Sequence, residues 1–512
     1  MRLDFKRNVK KGVIWGTLSK LITLFFSFAL RTIIIREIGK DYIGLGGLFT
    51  SVLDVLNLLE LGIGTGFTFF MYKPIAEDDY VLLYGILNTF KKLYYIVGVS
   101  ILFLGMFIVP FLSNLINGEY PVEINLEWLF IIHLVGLGAK YLFFAYRGTL
   151  LVAYQKNDVI NIINILCVAA TSTIQIVLLY VTKNYYPFAV VSAISPILNN
   201  FLLYMYSYKV LGKEDNNSKV QIPLEIIKEM REKIRGVFIG NVCDLSRKGI
   251  GAIYVSAYMG LSETTLYNNY LWIINSLSSF MLVAYTSLQA GIGNKAVLNS
   301  KEDNYEEFRV ILFIYMWISS WATICLLCMY QPFTEYAWGK EMLLPMKAMA
   351  TFVISFYIMK LGDVLSLYSM ANGMWWKKRW VAVVETATNI FILYIGGKYF
   401  GIIGIVLGPA ISVLVVANGI GAIVDFSAFF EKKKVLYYFG DHLRYAITTL
   451  IIGTMTYLLC KMYKGDLLME LIVRGTICIV IPNILFLCIY RNNNLYRYAK
   501  EYLIHEVRRA GK

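Results

Sequence analysis

The chain has 512 residues, 58% of them hydrophobic and 16% charged, with a mean hydropathy of +0.60 and a formal net charge of +14. That balance is too apolar for a soluble globular protein. It leaves no polar stretch long enough for the separate soluble domain or large loop in which a membrane enzyme would do its chemistry. In a soluble chain the positive charge would suggest nucleic acid; here it is distributed between long apolar runs and points to a membrane face instead.

In chain order, Met1 to Lys11 is basic and leads directly into an apolar run from Gly12 to about Ile35. The run is too long for a signal peptide, contains Lys20 and Arg31, and lacks a small-x-small cleavage site, so it reads as a retained first crossing. Further crossings are expected near 43–71, 82–113, 128–151, 158–182, 186–208, 236–258, 267–292, 310–330, 342–368, 379–397, 401–424, 442–463 and 468–490. At roughly 20 apolar residues per crossing this makes about 14 transmembrane helices, an all-α polytopic membrane protein. With the N-terminus inside, basic clusters such as Lys377-Lys378-Arg379 and Lys432-Lys433-Lys434 fall on the inner face. The outer segment 114–127 carries Glu119, Glu123 and Glu127 but no Lys or Arg. The positive-inside rule therefore places both termini in the cytoplasm.

Segment 211–235 reads as a cytoplasmic linker. Its second half sets Leu224, Ile227, Met230 and Ile234 on one helical face, which predicts an amphipathic helix on the inner leaflet connecting two halves. A repeat supports the halves. Gly39, in the Gly-rich turn Ile38 to Gly47, has a counterpart in Gly260, the inner turn at Tyr154 to Asn157 has one in Trp376 to Arg379, and Pro196 has one in Pro409. The expected organisation is a six-helix lobe over 1–210, the linker, a pseudo-symmetric six-helix lobe over 236–430, and helices 13 and 14 with a basic cytoplasmic tail over 431–512.

Ionisable residues inside these spans carry the functional reading, because each is costly in hydrocarbon unless it faces a partner or water. Among the cations are Lys20, Arg31, Lys91, Lys92, Lys140, Arg247, Lys248, Lys347, Lys360 and Arg474; among the acids are Asp54, Glu60, Asp244, Asp363 and Glu385. At 1.5 Å rise per residue Arg247 and Lys248 lie roughly 16–18 Å into their helix, with Lys140 similarly central. Arg31, Lys347 and Arg474 lie near outer ends, where long side chains snorkel to the headgroups. Asp244 can neutralise one of Arg247 and Lys248, and Asp363 can neutralise Lys360, by i,i+3 or i,i+4 pairing.

The cation surplus suits an anionic ligand such as a phosphate or diphosphate headgroup, with Arg247, Lys248, Lys20, Arg31, Lys140 and Lys360 as the binding candidates. Asp54, Glu60, Asp363 and Glu385 are candidates for coupling a proton or sodium ion, or else structural partners of nearby cations. The seven cysteines all lie in apolar stretches, and only Cys325 and Cys328 have a CxxC spacing, with no second pair to complete a metal site. His133, His442 and His505 are scattered. No metal and no cofactor are expected. Leu61-Gly62-Ile63-Gly64-Thr65-Gly66 has neither a preceding strand nor a βαβ unit, so it reads as helix packing rather than a nucleotide loop.

Taken together, the basic N-terminus and first helix, Arg31 before the turn Ile38-Gly39-Lys40-Asp41-Tyr42-Ile43-Gly44-Leu45, Leu61-Gly62-Ile63-Gly64, the inner turn Tyr154 to Asn157 and the helix count resemble a Wzx-type polysaccharide flippase of the MOP exporter superfamily. The resemblance covers the whole chain and rests more on topology than on any one motif. It implies a bacterial inner-membrane protein that moves an undecaprenyl-diphosphate-linked oligosaccharide to the periplasmic leaflet by alternating access. Ion gradients often drive such relatives, and polysaccharide polymerase and chain-length machinery are possible partners beside membrane lipids. It also implies cationic residues in the first and seventh helices, here Lys20, Arg31, Arg247 and Lys248, and no bond-making chemistry. Two alternatives remain: a multidrug cation antiporter of the same fold, for which an acidic cavity is expected, and a polytopic polysaccharide polymerase, for which a large outer loop is expected.

Overall fold

A computed structural model describes residues 5–60, 63–211, 227–228, 238, 241–243, 245–247, 249–298, 300–371, 374, 377–463 and 465–510. Lys248, Asp244, Leu61, Gly62 and nearly all of the expected amphipathic linker helix lie outside the described residues.

The described chain is helical. Ten of its helices are long and apolar enough to cross a membrane, and a bent pair makes an eleventh. The other expected crossings fall on helices that break or are described only in part. The chain is a multi-pass membrane protein, and its Cα packing divides it into two compact units, Met1–Asn268 and Asn269–Lys512.

The first unit contains α1 (Phe5–Glu37), α2 (Asp41–Leu56), α3 (Ile63–Ala76), α4 (Tyr80–Ile108), α5 (Leu126–Leu142), α6 (Ala145–Ala153), α7 (Asn157–Thr182), α8 (Tyr185–Leu211), α9 (Ile250–Met259) and the start of α10 (Leu261–Leu298). Helix α1 packs along α7, and α4, α5 and α8 pack side by side. Helix α1 ends where the Gly39 amide turns back to the Ile34 carbonyl at 2.9 Å, with Gly39 at φ +133°, a conformation that costs glycine little. Its sequence counterpart Gly260, at φ +92°, makes the corresponding turn between α9 and α10. The two turns lie against each other, with Thr265 Oγ1 donating to the Lys40 carbonyl at 2.7 Å.

One expected crossing, 43–71, is two helices. Helix α2 tightens into a 3₁₀ turn at Asn57–Leu59, and α3 begins at Ile63. Another, 128–151, is bent by 49° between α5 and α6, where Phe144 takes a left-handed φ of +62°.

The second unit contains the rest of α10, then α11 (Lys301–Trp338), α12 (Met346–Leu361), α13 (Asp363–Ala371), α14 (Arg379–Phe400), α15 (Ile402–Ser412), a π-helical segment (Val413–Ile420), α16 (Gly421–Phe429), α17 (Val435–Met462), α18 (Leu467–Tyr490) and α19 (Asn494–Ala510). Helices α14 and α15 form a hairpin with almost no room between them. A Cβ on Gly404 would stand 2.0 Å from the Gly396 carbonyl oxygen. Helices α17 and α18 pack on each other and on α11.

Candidate charged sites in the two units

Polar side chains from neighbouring helices converge near the break between α2 and α3. The Tyr94 hydroxyl of α4 donates to Glu60 Oε1 at 2.9 Å, and the Tyr141 hydroxyl of α5 donates to Asn57 Oδ1. Lys140, the residue before Tyr141, is half-buried and close enough to act electrostatically on both Glu60 and Asp54. Its ammonium lies 5.2 Å from the Tyr141 ring centroid. Asp54 faces outward on α2. Gly64 packs close to the pair of Tyr94 and Glu60: a Cβ there would lie 3.1 Å from the Tyr94 hydroxyl and 3.4 Å from Glu60 Oε1. The sequence candidates Asp54, Glu60 and Lys140 are therefore brought together.

The second unit repeats this chemistry at another helix break. Helices α12 and α13 part at Gly362, against which the Asn418 amide of the π-helical segment is pressed. Lys360 Nζ, on one side of the break, lies 3.1 Å from Asp363 Oδ2 on the other. The Tyr315 hydroxyl of α11 donates to the same carboxylate oxygen. The pairing of Lys360 with Asp363 that the spacing allowed is realised. Glu385, the remaining acidic candidate, is buried on α14 at 2% exposure, away from both breaks along the chain.

Of the other cationic candidates, Lys20 is exposed on α1, and Arg31 is half-buried there with Tyr185 of α8 in electrostatic reach. Arg247 is half-buried, and its Nη2 donates to Cys243 Sγ at 3.5 Å. Lys248 lies outside the described residues. From Gly12 to Ile35 the first helix carries Lys20 and Arg31 and no acid at all. Arg474, expected near an outer helix end, makes contacts within the protein. It pairs with Glu470 one turn back, and its Nη1 donates to the Cys328 carbonyl at 3.1 Å.

Three features escaped sequence reasoning. Arg147 of α6 is fully buried, with its guanidinium 5.4, 5.6 and 5.7 Å from the ring centroids of Tyr146, Tyr204 and Tyr208. The adjacent Tyr146 and the i,i+4 pair Tyr204 and Tyr208 were the available signal. Asp425 of α16 is fully buried between Lys378 Nζ at 2.7 Å and Ser369 Oγ at 2.9 Å; it lay one residue beyond the expected end of its crossing. Third, Cys328 meets Cys460 and Cys478, both more than a hundred residues further along the chain, with all three sulfurs within 4.8 Å of one another.

No family model matches the chain, and no curated protein does. Solved structures do. Lipid II flippase MurJ in an inward closed conformation superposes with a TM-score of 0.65 at 16% identity, covering 94% of this chain and 99% of its own. An inward-facing multidrug resistance MATE family transporter of the MOP superfamily gives 0.62 at 16% identity over 83% of this chain and 98% of its own. The Vibrio cholerae MATE transporter VcmN gives 0.57 at 10% identity over 86% and 98%. At these identities the likeness is one of fold. The chain shares the all-α fold of these structures.

Proposed function

We propose that this protein is a flippase for an anionic lipid-linked glycan, an undecaprenyl-diphosphate-linked oligosaccharide, in the bacterial inner membrane. The observation that carries the reading is the extent of the fold match. A lipid II flippase is covered almost end to end while spanning 94% of this chain, whereas the MATE transporters are covered to 96–98% of their own length and span 83–88% of this chain. Charge supports the same side. In the second unit Lys360, Lys378 and Arg474 each meet a carboxylate, and α1 carries Lys20 and Arg31. Those two residues, with Arg247 and Lys248, supply the positive charge for a diphosphate, Arg through paired N–H donors and Lys as a point charge. No bond is made or broken; work is done by alternating access of a membrane transporter.

Glu60 with Tyr94 and Lys140, and Asp363 with Tyr315 and Lys360, are the places where a coupling proton or sodium ion would act. Each is a titratable carboxylate at a broken helix. Binding of a cation there competes with the local lysine, so occupancy changes the field at the break.

The test is the sidedness of lipid-linked oligosaccharide in cells lacking the protein, read with a membrane-impermeant probe. Accumulation on the cytoplasmic leaflet, reversed by the wild-type chain and not by one carrying Arg31→Gln with Arg247→Gln, supports both function and site. Rescue by that variant sinks the site assignment. A normally translocated but unpolymerised intermediate moves the polymerase reading ahead, and an unchanged intermediate moves small-molecule export ahead.

A further inference from the structure

The three cysteines that meet in the second unit come one from each of three mutually packed helices: Cys328 from α11, Cys460 from α17 and Cys478 from α18. They are free thiols, exposed by 0%, 0% and 1%. Their immediate surroundings are unusually rich in sulfur. Cys325, one turn before Cys328, interacts with the Cys478 thiol, and Met329 packs against the same cluster. The rest of the shell is apolar, with Ile324, Ile452 and Phe486 buried around the sulfurs.

Geometry and ligand chemistry agree on what such a set takes. An ion bound to thiolate sulfurs at about 2.3 Å holds three of them about 4 Å apart, and the three sulfurs here already lie within 4.8 Å of one another. Soft sulfur ligands without carboxylate or imidazole select soft, closed-shell ions. Three thiolates around a divalent ion leave one negative charge; Arg474, one turn before Cys478, acts on Cys460 and donates to the Cys328 carbonyl while it also pairs with Glu470. We propose that Cys328, Cys460 and Cys478 form a thiolate site for one soft d¹⁰ metal ion of the Zn(II), Cd(II) or Cu(I) class. Cys325 is the adjacent fourth sulfur. Binding breaks only S–H bonds: each ligating thiol gives its proton to solvent, and no oxidant or reductant is consumed. The ion would join α17 and α18 to α11 through a link that apolar packing alone does not provide.

The experiment uses the full-length chain in detergent, kept reduced and titrated with Cd(II). The expected result is one ion per chain with a thiolate-to-metal charge-transfer absorption. Affinity should fall by more than about 100-fold in Cys328→Ser, beyond the loss that outer-shell changes alone produce. It should be unchanged in Cys488→Ser, whose thiol is exposed and outside the cluster. Should Cys328→Ser fail to fold, protection of the wild-type cluster thiols from maleimide by Cd(II), mapped by peptide mass, decides the same question. Absence of the absorption, affinity insensitive to Cys328→Ser, labelling unaffected by Cd(II), or a disulfide joining two of the three in the isolated protein would each overturn the proposal.

Discussion

The buried pair Lys378–Asp425 makes an asymmetric prediction. The Asp425 side chain is fully buried, whereas Lys378 retains 23% exposure; the two meet at 2.7 Å, and Ser369 Oγ donates to the other carboxylate oxygen. Lys378→Met strands a carboxylate in the interior with a single hydroxyl, and removing one partner of a buried ion pair costs about 3–5 kcal/mol. Asp425→Asn keeps the Ser369 contact and frees a lysine that can swing toward solvent, so the loss is that of one charged hydrogen bond, about 1.5–3 kcal/mol. The double substitution should be less damaging than the sum of the two, with a coupling of about 1–3 kcal/mol. Thermal unfolding in detergent, followed by size-exclusion of the fluorescently tagged chain, reads the order. At about 2–4 °C per kcal/mol for a unit of this size, Lys378→Met should lower the midpoint by about 6–20 °C and Asp425→Asn by less. Equal losses that simply add would show that the two side chains do not depend on each other, and the burial argument would fail.

Further outcomes follow from other contacts. Gly404→Val should lose folded protein outright, because even a Cβ at that position meets the Gly396 backbone and backbone cannot yield as a side chain can; a normal yield after purification would show that α14 and α15 pack differently. Tyr94→Phe should leave the protein folded but reduce transport, since it removes the donor to Glu60, a charged hydrogen bond worth about 1.5–3 kcal/mol; unchanged export in a complementation assay would remove Glu60 from the coupling scheme. Arg147→Met should destabilise the first unit by about 1–2 kcal/mol through loss of its contacts with three tyrosine rings, measured as a fall in the thermal midpoint.

The membrane class and helical architecture were legible because long apolar runs report directly on bilayer thickness. So was the turn after the first helix: Gly39 and Gly260, matched in sequence, both adopt the positive φ that makes glycine the natural residue there. Local pairing was legible at Lys360 and Asp363, three residues apart. What sequence could not reveal was contact between distant helices. Nothing near Cys328 points to Cys460 or Cys478, and a CxxC search directs attention to Cys325 instead. Helix breaks were equally hidden, because Asn57–Leu59 and Gly362 sit inside apolar runs whose hydropathy does not change when the helix stops. Arg147 and Asp425 were missed for a related reason: each lies near a predicted span end, where a charge looks harmless until neighbouring helices close over it.

The same observation separates the intramembrane charges by physical role. A charge fixed by a short contact to an opposite charge is already solvated by the protein, and Lys378 with Asp425, or Arg474 with Glu470, has little reason to respond to a ligand. Lys360 with Asp363 differs because the pair straddles a helix break and shares its carboxylate with a tyrosine, so a change in one partner alters the hydrogen bonding at the break. Glu60 is held by Tyr94 with Lys140 acting at longer range. Neutralising Lys140 by Lys140→Met should therefore change the dependence of transport on the coupling cation more than it changes folding. Replacing Lys378 should do the reverse. If Lys140→Met lowers the thermal midpoint as much as Lys378→Met does and leaves cation dependence untouched, the charges at the first break are structural and coupling must be sought elsewhere.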